Sequence, residues 1–392
     1  MSALKIVLLL SYICIASISA AIITPAIPAI GHTYHLSQGT ITWVVSIFLL
    51  GYVIGQLLYG PLANRFGRVG ALRAGLCLNL LGIVVCLASV FLHNYLLLLL
   101  GRFMTALGAA SGLACTFMLI NESLSLEKAK QAMSYAIVSF SVGIGLAVTI
   151  GGVVTQYFHW QMCFWLLLVH GAFMLYCTRY FQETLKKQMP LNIKHIWQGY
   201  VMAISHKQLV IYALGVGLVS VFAYGYSVAA PIYAQSVLKL SASQYGYWNL
   251  INMFGMLGSG FLGSFLMRRF GPTITLRIAL LGLLPALLSL LGIVYFASTH
   301  SLWFFFTTTV LYLVTGIIFP AASYLASNAL TDKASASSMM SFINMGSAML
   351  GVVIMGYLPF ASMTALLVLL IGFYVLVSSL VILCHRARTF IN

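Results

Sequence analysis

Long apolar runs of twenty or more residues, separated by short polar gaps, recur along the chain. A helix needs roughly 20 apolar residues to cross a bilayer. On that measure the pattern predicts spans at 4–30, 40–62, 71–92, 95–120, 132–157, 161–182, 207–236, 242–268, 274–298, 302–326, 337–360 and 363–384. The runs are continuously apolar rather than alternating, which predicts helices and disfavours a β-barrel. The run after Lys5 reaches Ile30 and contains Pro25 and Pro28, so it reads as an uncleaved first span rather than a signal peptide. The segment ETLKKQMPLNIKHIWQGYVMAISHK, residues 183–207, is longer and more polar than most gaps. It divides the chain into an N-terminal six-helix bundle (1–182), a cytoplasmic linker (183–206) and a C-terminal six-helix bundle (207–392). Within that linker Ile193, Ile196, Trp197 and Tyr200 recur on one side, which fits either a helix on the membrane surface or a plain connection.

Two basic turns punctuate the pattern. GQLLYGPLANRFGR (55–68) closes one apolar span, and GSFLMRRFGP (263–272) closes another about half a chain later. A turn repeated in this way is what a carrier built from duplicated halves leaves in its sequence. The expected fold is therefore an all-α integral membrane protein with twelve transmembrane helices in two pseudo-symmetric six-helix bundles.

Composition sharpens the class. Hydrophobic residues make up 62% and charged residues 6%, with a mean hydropathy of +1.05. A soluble domain carries about a quarter charged residues, so the bilayer is the solvent here. The net charge of +15 is a matter of topology rather than nucleic-acid binding. Among the lysines and arginines, all but Lys239 and Arg102 fall in alternate gaps or at span ends. That bias places both termini and the linker in the cytoplasm, with the protein multi-pass in the inner membrane. The 7 cysteines are scattered without CxxC spacing, so neither a metal nor a disulfide is expected. No nucleotide-binding loop or nucleophile elbow is present; the chain reads as a non-enzyme without a cofactor.

YVIGQLLYGPLANRFGR (52–68) resembles the signature loop of the major facilitator superfamily, and GQLLYGP resembles its bicyclomycin/chloramphenicol-resistance branch of drug:proton antiporters. TPAIPAI (24–30), LGRFMTALGAASG (100–112), FQETL (181–185) and residues 222–248 extend the likeness over almost the whole chain. The resemblance implies two bundles around a central cavity, working by alternating access. It also implies a gating role for the signature-loop residues Gly60, Asn64, Arg65, Gly67 and Arg68. Asn64 stands where the family has an acid and cannot make its ion pair, so any latch here is weaker or is completed by Glu122. Anchoring to headgroups is the alternative role of these arginines.

Arg102 lies inside a span, where a charge costs about 2.5–3.5 kcal/mol on insertion scales. Either it snorkels to the surface, or, as the family's fourth-helix motif implies, it serves substrate or protons. Only Glu122, Glu127, Glu183 and Asp332 are acidic, and none falls in a predicted membrane core. A cavity with Arg102 and no carboxylate favours neutral or anionic cargo. If protons are coupled, mid-span His170 is the available carrier, although a lone histidine also fits simple packing. Tyr52, Gln56 and Tyr59 recur at helical spacing, Tyr224 and Tyr226 lie near Pro231, and Asn249 and Asn252 share a face; with Arg102 they form the candidate substrate-binding set. The function expected is multidrug or toxic-compound efflux, with a carrier of an anionic metabolite or siderophore as the alternative. The expected partners are a small-molecule substrate, protons and the lipid bilayer, with a functional monomer and no nucleic acid.

Overall fold

A computed structural model describes residues 3–185, 193–330 and 333–389. Every regular element among them is helical. Packing divides the chain into two units, Met1–Leu191 with Ser241–Tyr247, and Asn192–Leu240 with Trp248–Asn392.

In unit 1 the first apolar run is not one continuous helix. It forms α1 (Ala3–Ile13), α2 (Ile15–Ala21), a 3-10 turn (Thr24–Ala26) and α3 (Ile27–Thr33). Pro25 and Pro28 each sit in the first two positions of the turn that follows a break. There the missing N–H costs no hydrogen bond, but the helix before it cannot run through. A short α4 (Gln38–Ile41) leads into α5 (Trp43–Phe66), α6 (Arg68–Phe91), α7 (Tyr95–Ser123), α8 (Leu126–Phe158) and α9 (Met162–Cys177). Helices α6 and α7 touch backbone to backbone: a Cβ on Gly108 would lie 2.3 Å from both the Asn79 nitrogen and the Gly75 oxygen. Small residues at such crossings replace the hydrophobic driving force that lipid cannot supply.

Unit 2 begins with α10 (Ile193–Ser205), inside the stretch expected as linker, and continues through α11 (Lys207–Ser236), α12 (Ala242–Tyr295), α13 (Ser301–Ser327), α14 (Lys333–Tyr357) and α15 (Ser362–Thr389). Part of the expected linker lies outside the described residues. Ala203 of α10 is buried with Leu209 and Ala213 of α11 and Ala336 and Met339 of α14. The 54 residues of α12 would measure about 80 Å if straight, far beyond a hydrocarbon core of about 30 Å. They are two helices meeting at Gly271, whose φ of 77° and ψ of 167° are not helical. Eleven described helices are long and apolar enough to cross a membrane. Counting α12 as two gives the twelve of the predicted fold.

The two repeated turns share one backbone device. Gly67 (φ 97°, ψ 155°) separates α5 from α6, and Gly271 makes the same kind of corner in α12. Both follow an exposed phenylalanine, Phe66 and Phe270.

Candidate functional site

The turn after α5 is held by side chains from two other places in the chain, the end of α7 and the segment after α9. Gly67 has no side chain with which to cap α6, whose first N–H groups would otherwise be orphans. The Glu183 carboxylate takes that role. It accepts the backbone N–H groups of Arg68 at 2.8 Å and Val69 at 3.1 Å, and those of Thr184 and Leu185 at 3.0 and 3.1 Å. Burial pushes the Glu183 carboxyl up, but N–H donors from Leu185, Arg68, Val69 and Gly70 outweigh it and hold the group below the usual carboxylate range. A Cβ on Gly67 would sit 2.3 Å from Glu183 Oε2, so the carboxylate can cap α6 from this position only over a glycine.

Arg68 completes the cluster. Its Nε donates to both Glu122 oxygens at 3.1 and 3.0 Å, its Nη2 to Oε1 at 2.7 Å, and its Nη1 to the Ala63 carbonyl at 3.0 Å. Thr184 Oγ1 also donates to Glu122. The end of α5, the start of α6, the end of α7 and the segment after α9 are thus tied at one point. Asn64 is partly buried and makes no hydrogen bond among the described residues, and Arg65 is exposed. Gly60 has no atom within 4 Å of where its Cβ would be; packing within unit 1 does not require a glycine there. Glu183 was not among the sequence candidates. Its signal was an acid at a span end in a chain with only 4 acidic residues.

Arg102, on α7, is 1% exposed and does not snorkel. Its Nη1 donates to the Ser19 carbonyl at 3.0 Å, its Nε reaches the Val44 carbonyl at 3.4 Å, and its guanidinium lies 4.3 Å from the Phe48 ring centroid. The Ile18 carbonyl in the last turn of α2 accepts the Ile22 N–H, whereas the Ser19 carbonyl, one residue on, is the acceptor that Arg102 uses. Ser19 Oγ is buried beside it with no hydrogen-bond partner among the described residues. On α5, Tyr52 and Tyr59 are buried, and Gln56 Oε1 is likewise buried without a partner among the described residues. His170 is partly buried on α9, which packs on α6 and α8.

In unit 2, Tyr226 of α11 and Asn249 and Asn252 of α12 form one buried network with Thr308 and Thr309 of α13. Asn252 Nδ2 donates to Asn249 Oδ1 at 2.7 Å and to Tyr226 Oη at 3.0 Å, and Tyr226 Oη donates to Asn249 Oδ1 at 3.1 Å. Asn252 Oδ1 accepts from Thr308 at 2.9 Å and Thr309 at 3.0 Å. Its amide thereby uses both donors and both lone pairs, joining three helices. Phe222, Phe304 and Tyr312 surround the Tyr226 ring with centroids 5.6–6.3 Å away. Tyr224 is only half-buried. The threonines escaped the sequence reading because hydroxyls in an apolar helix usually bond back to their own turn; each of these has a single proton, shared between the Phe305 carbonyl of its own turn and Asn252 Oδ1.

Among the described residues, eleven helices, one of them bent at Gly271, are long and apolar enough to cross a membrane, and buried polar groups lie within them in each unit, as in a polytopic membrane protein. The chain belongs to the Major Facilitator Superfamily, which it matches over residues 9–355. Among curated relatives, an uncharacterized transporter of Rickettsia bellii is 25% identical over 67% of this chain and 64% of its own length. A bicyclomycin resistance protein homolog of Haemophilus influenzae is 23% identical over 65% of this chain and 64% of its own. The match thus spans about 64% of the length of these relatives. A solved D-xylose-proton symporter is similar with a TM-score of 0.79, at 14% identity, over 96% of this chain and 97% of that one. At that identity the likeness is one of fold.

Proposed function

We propose that this chain is a secondary transporter of the inner membrane, with both termini cytoplasmic, that moves a small molecule by alternating access and exports toxic compounds. The observation that carries this reading is the run of family segments, above all YVIGQLLYGPLANRFGR, in a chain similar to a bicyclomycin resistance homolog. The cargo-binding candidates are Arg102, Tyr52, Gln56 and Tyr59 in unit 1 and Tyr224, Tyr226, Asn249 and Asn252 in unit 2, each set taken by itself. Tyrosines offer bulky amphipathic molecules an apolar body with one polar handle, and the unpartnered Gln56 Oε1 is an acceptor that a cargo donor would satisfy. The turn cluster of Gly67, Arg68, Glu122 and Glu183 acts in gating, with His170 as the proton carrier if protons are coupled.

One observation favours a second reading, a carrier of an anionic metabolite or siderophore. Arg102 is a buried cation held by carbonyls and an aromatic ring, with no carboxylate partner among the described residues. Both readings are tested with purified protein in liposomes, following internal pH and uptake of cationic drugs, neutral drugs and carboxylate-rich compounds. Substrate-dependent proton movement with drugs supports efflux by antiport. Uptake confined to anions and lost in Arg102→Ala supports the second reading and overturns the first.

A further inference from the structure

Unit 1 carries a groove on its flank that neither the signature turn nor the polar core uses. It opens between α6 and the end of α9, has a volume of about 460 Å³, and is lined by Arg73, Leu80, Ala172, Leu175, Tyr176, Thr178 and Arg179. Its chemistry is graded. The two arginines stand near the end of α6 that Glu183 caps: Arg73 lies five residues into α6, and Arg179 just follows α9. Leu80 is seven residues further along α6, about 10 Å deeper at 1.5 Å per residue, and Ala172 and Leu175 line the same inner end on α9.

Both guanidiniums are set in place without being neutralised. Arg73 Nε donates to Thr178 Oγ1 at 2.9 Å and its Nη2 to the Thr178 carbonyl at 3.3 Å, which leaves Nη1 without a partner among the described residues. Arg179 lies 3.3 Å from the Tyr176 ring centroid and makes no hydrogen bond among the described residues. Neither has a carboxylate within ion-pair distance there, since Glu122 and Glu183 are engaged at the turn. Two fixed cations at the interface with an apolar channel running inward from them match a molecule that is anionic at one end and aliphatic at the other. Basic pockets between helices at that depth hold anionic headgroups, and planar guanidiniums suit phosphate oxygens.

We infer that this groove binds one anionic phospholipid, its phosphodiester between Arg73 and Arg179 and an acyl chain along Leu80, Ala172 and Leu175. The site is independent of the cargo. It is tested by native mass spectrometry of the purified full chain in detergent, titrated with phosphatidylglycerol or with phosphatidylcholine of the same acyl chains, alongside thermal unfolding. The wild type retains phosphatidylglycerol in preference to phosphatidylcholine and unfolds at a higher temperature with it. Arg73→Gln/Arg179→Gln binds about thirtyfold more weakly, from the usual worth of two basic residues at an anionic headgroup, whereas the charge-matched control Arg268→Gln/Arg269→Gln binds as the wild type does. If the double variant fails to fold, Arg179→Gln alone, which breaks no internal hydrogen bond, is expected to bind about fivefold more weakly. Equal retention of phosphatidylglycerol by these variants and the wild type would overturn the site. So would equal retention of phosphatidylcholine, which would make it an apolar groove only, or displacement of the lipid by inorganic phosphate, which would make it a site for soluble anions.

Discussion

Replacing Glu183 by Ala removes the acceptor for the first N–H groups of α6, because Gly67 offers none in its place. Loss of an N-terminal cap costs about 0.5–2 kcal/mol, and a charged acceptor lies toward the upper part of that range. Glu183 is solvent-exposed at its edge, which trims the electrostatic share; about 1–1.5 kcal/mol remains. At about 2–4 °C per kcal/mol for units of this size, the unfolding temperature in detergent falls by about 2–6 °C. Glu183→Gln keeps one acceptor oxygen and loses the charge, so it falls between the two. The carboxyl is depressed in the folded state, its N–H donors outweighing the opposing effect of burial. Its stabilisation is therefore complete above the unfolded carboxyl value of about 4.3 and is lost as pH drops through the lower folded value. The gap between wild type and Glu183→Gln is constant from pH 6 to pH 8, and it closes in acid. Wild-type unfolding of Glu183→Ala at pH 7, or a Gln gap that persists into strong acid, would refute the assignment of Glu183 as the cap.

Three further outcomes follow from named contacts. Gly67→Ala costs about 1–3 kcal/mol for its backbone conformation and also displaces Glu183, so in a Glu183→Ala background its cost shrinks; Gly271→Ala, with open space around it, shows the backbone part alone, and identical, additive effects at the two glycines in unfolding assays would contradict this. Asn252→Ala lowers stability by about 2–3 kcal/mol by removing four buried hydrogen bonds, read as the unfolding midpoint, and a neutral result would mean the network ties nothing together. A double-mutant cycle on Arg68→Gln and Glu122→Gln gives a coupling of about 1 kcal/mol that weakens with salt, since the side chains are 11% and 32% exposed; zero coupling at low salt would argue against the bidentate pair.

Much of this architecture could be read from the chain because each span must hide its backbone from lipid by itself, so long apolar runs translate directly into helices. The breaks were harder. Pro25 and Pro28 lie in an unbroken apolar run, and only the structure shows that the run is broken there and that the Ser19 carbonyl before the break accepts from Arg102. The signature turn announced Gly67 and Arg68 through their local pattern, yet the acid that caps it sits 115 residues away, beyond any periodicity. Thr308 and Thr309 were silent for a related reason, since nothing in a polar residue's own helix says which helix will face it.

The separation between Glu183 and the helix it caps also orders the birth of the protein on the ribosome. Arg68 and Glu122 are 54 residues apart, whereas Arg68 and Glu183 are 115 apart. At synthesis rates of about 5–20 residues per second, the ion pair becomes available several seconds before the cap does. The turn is therefore assembled in two stages. For that interval the first N–H groups of α6 lack their carboxylate cap, and arrival of the segment after α9 is the event that completes the turn.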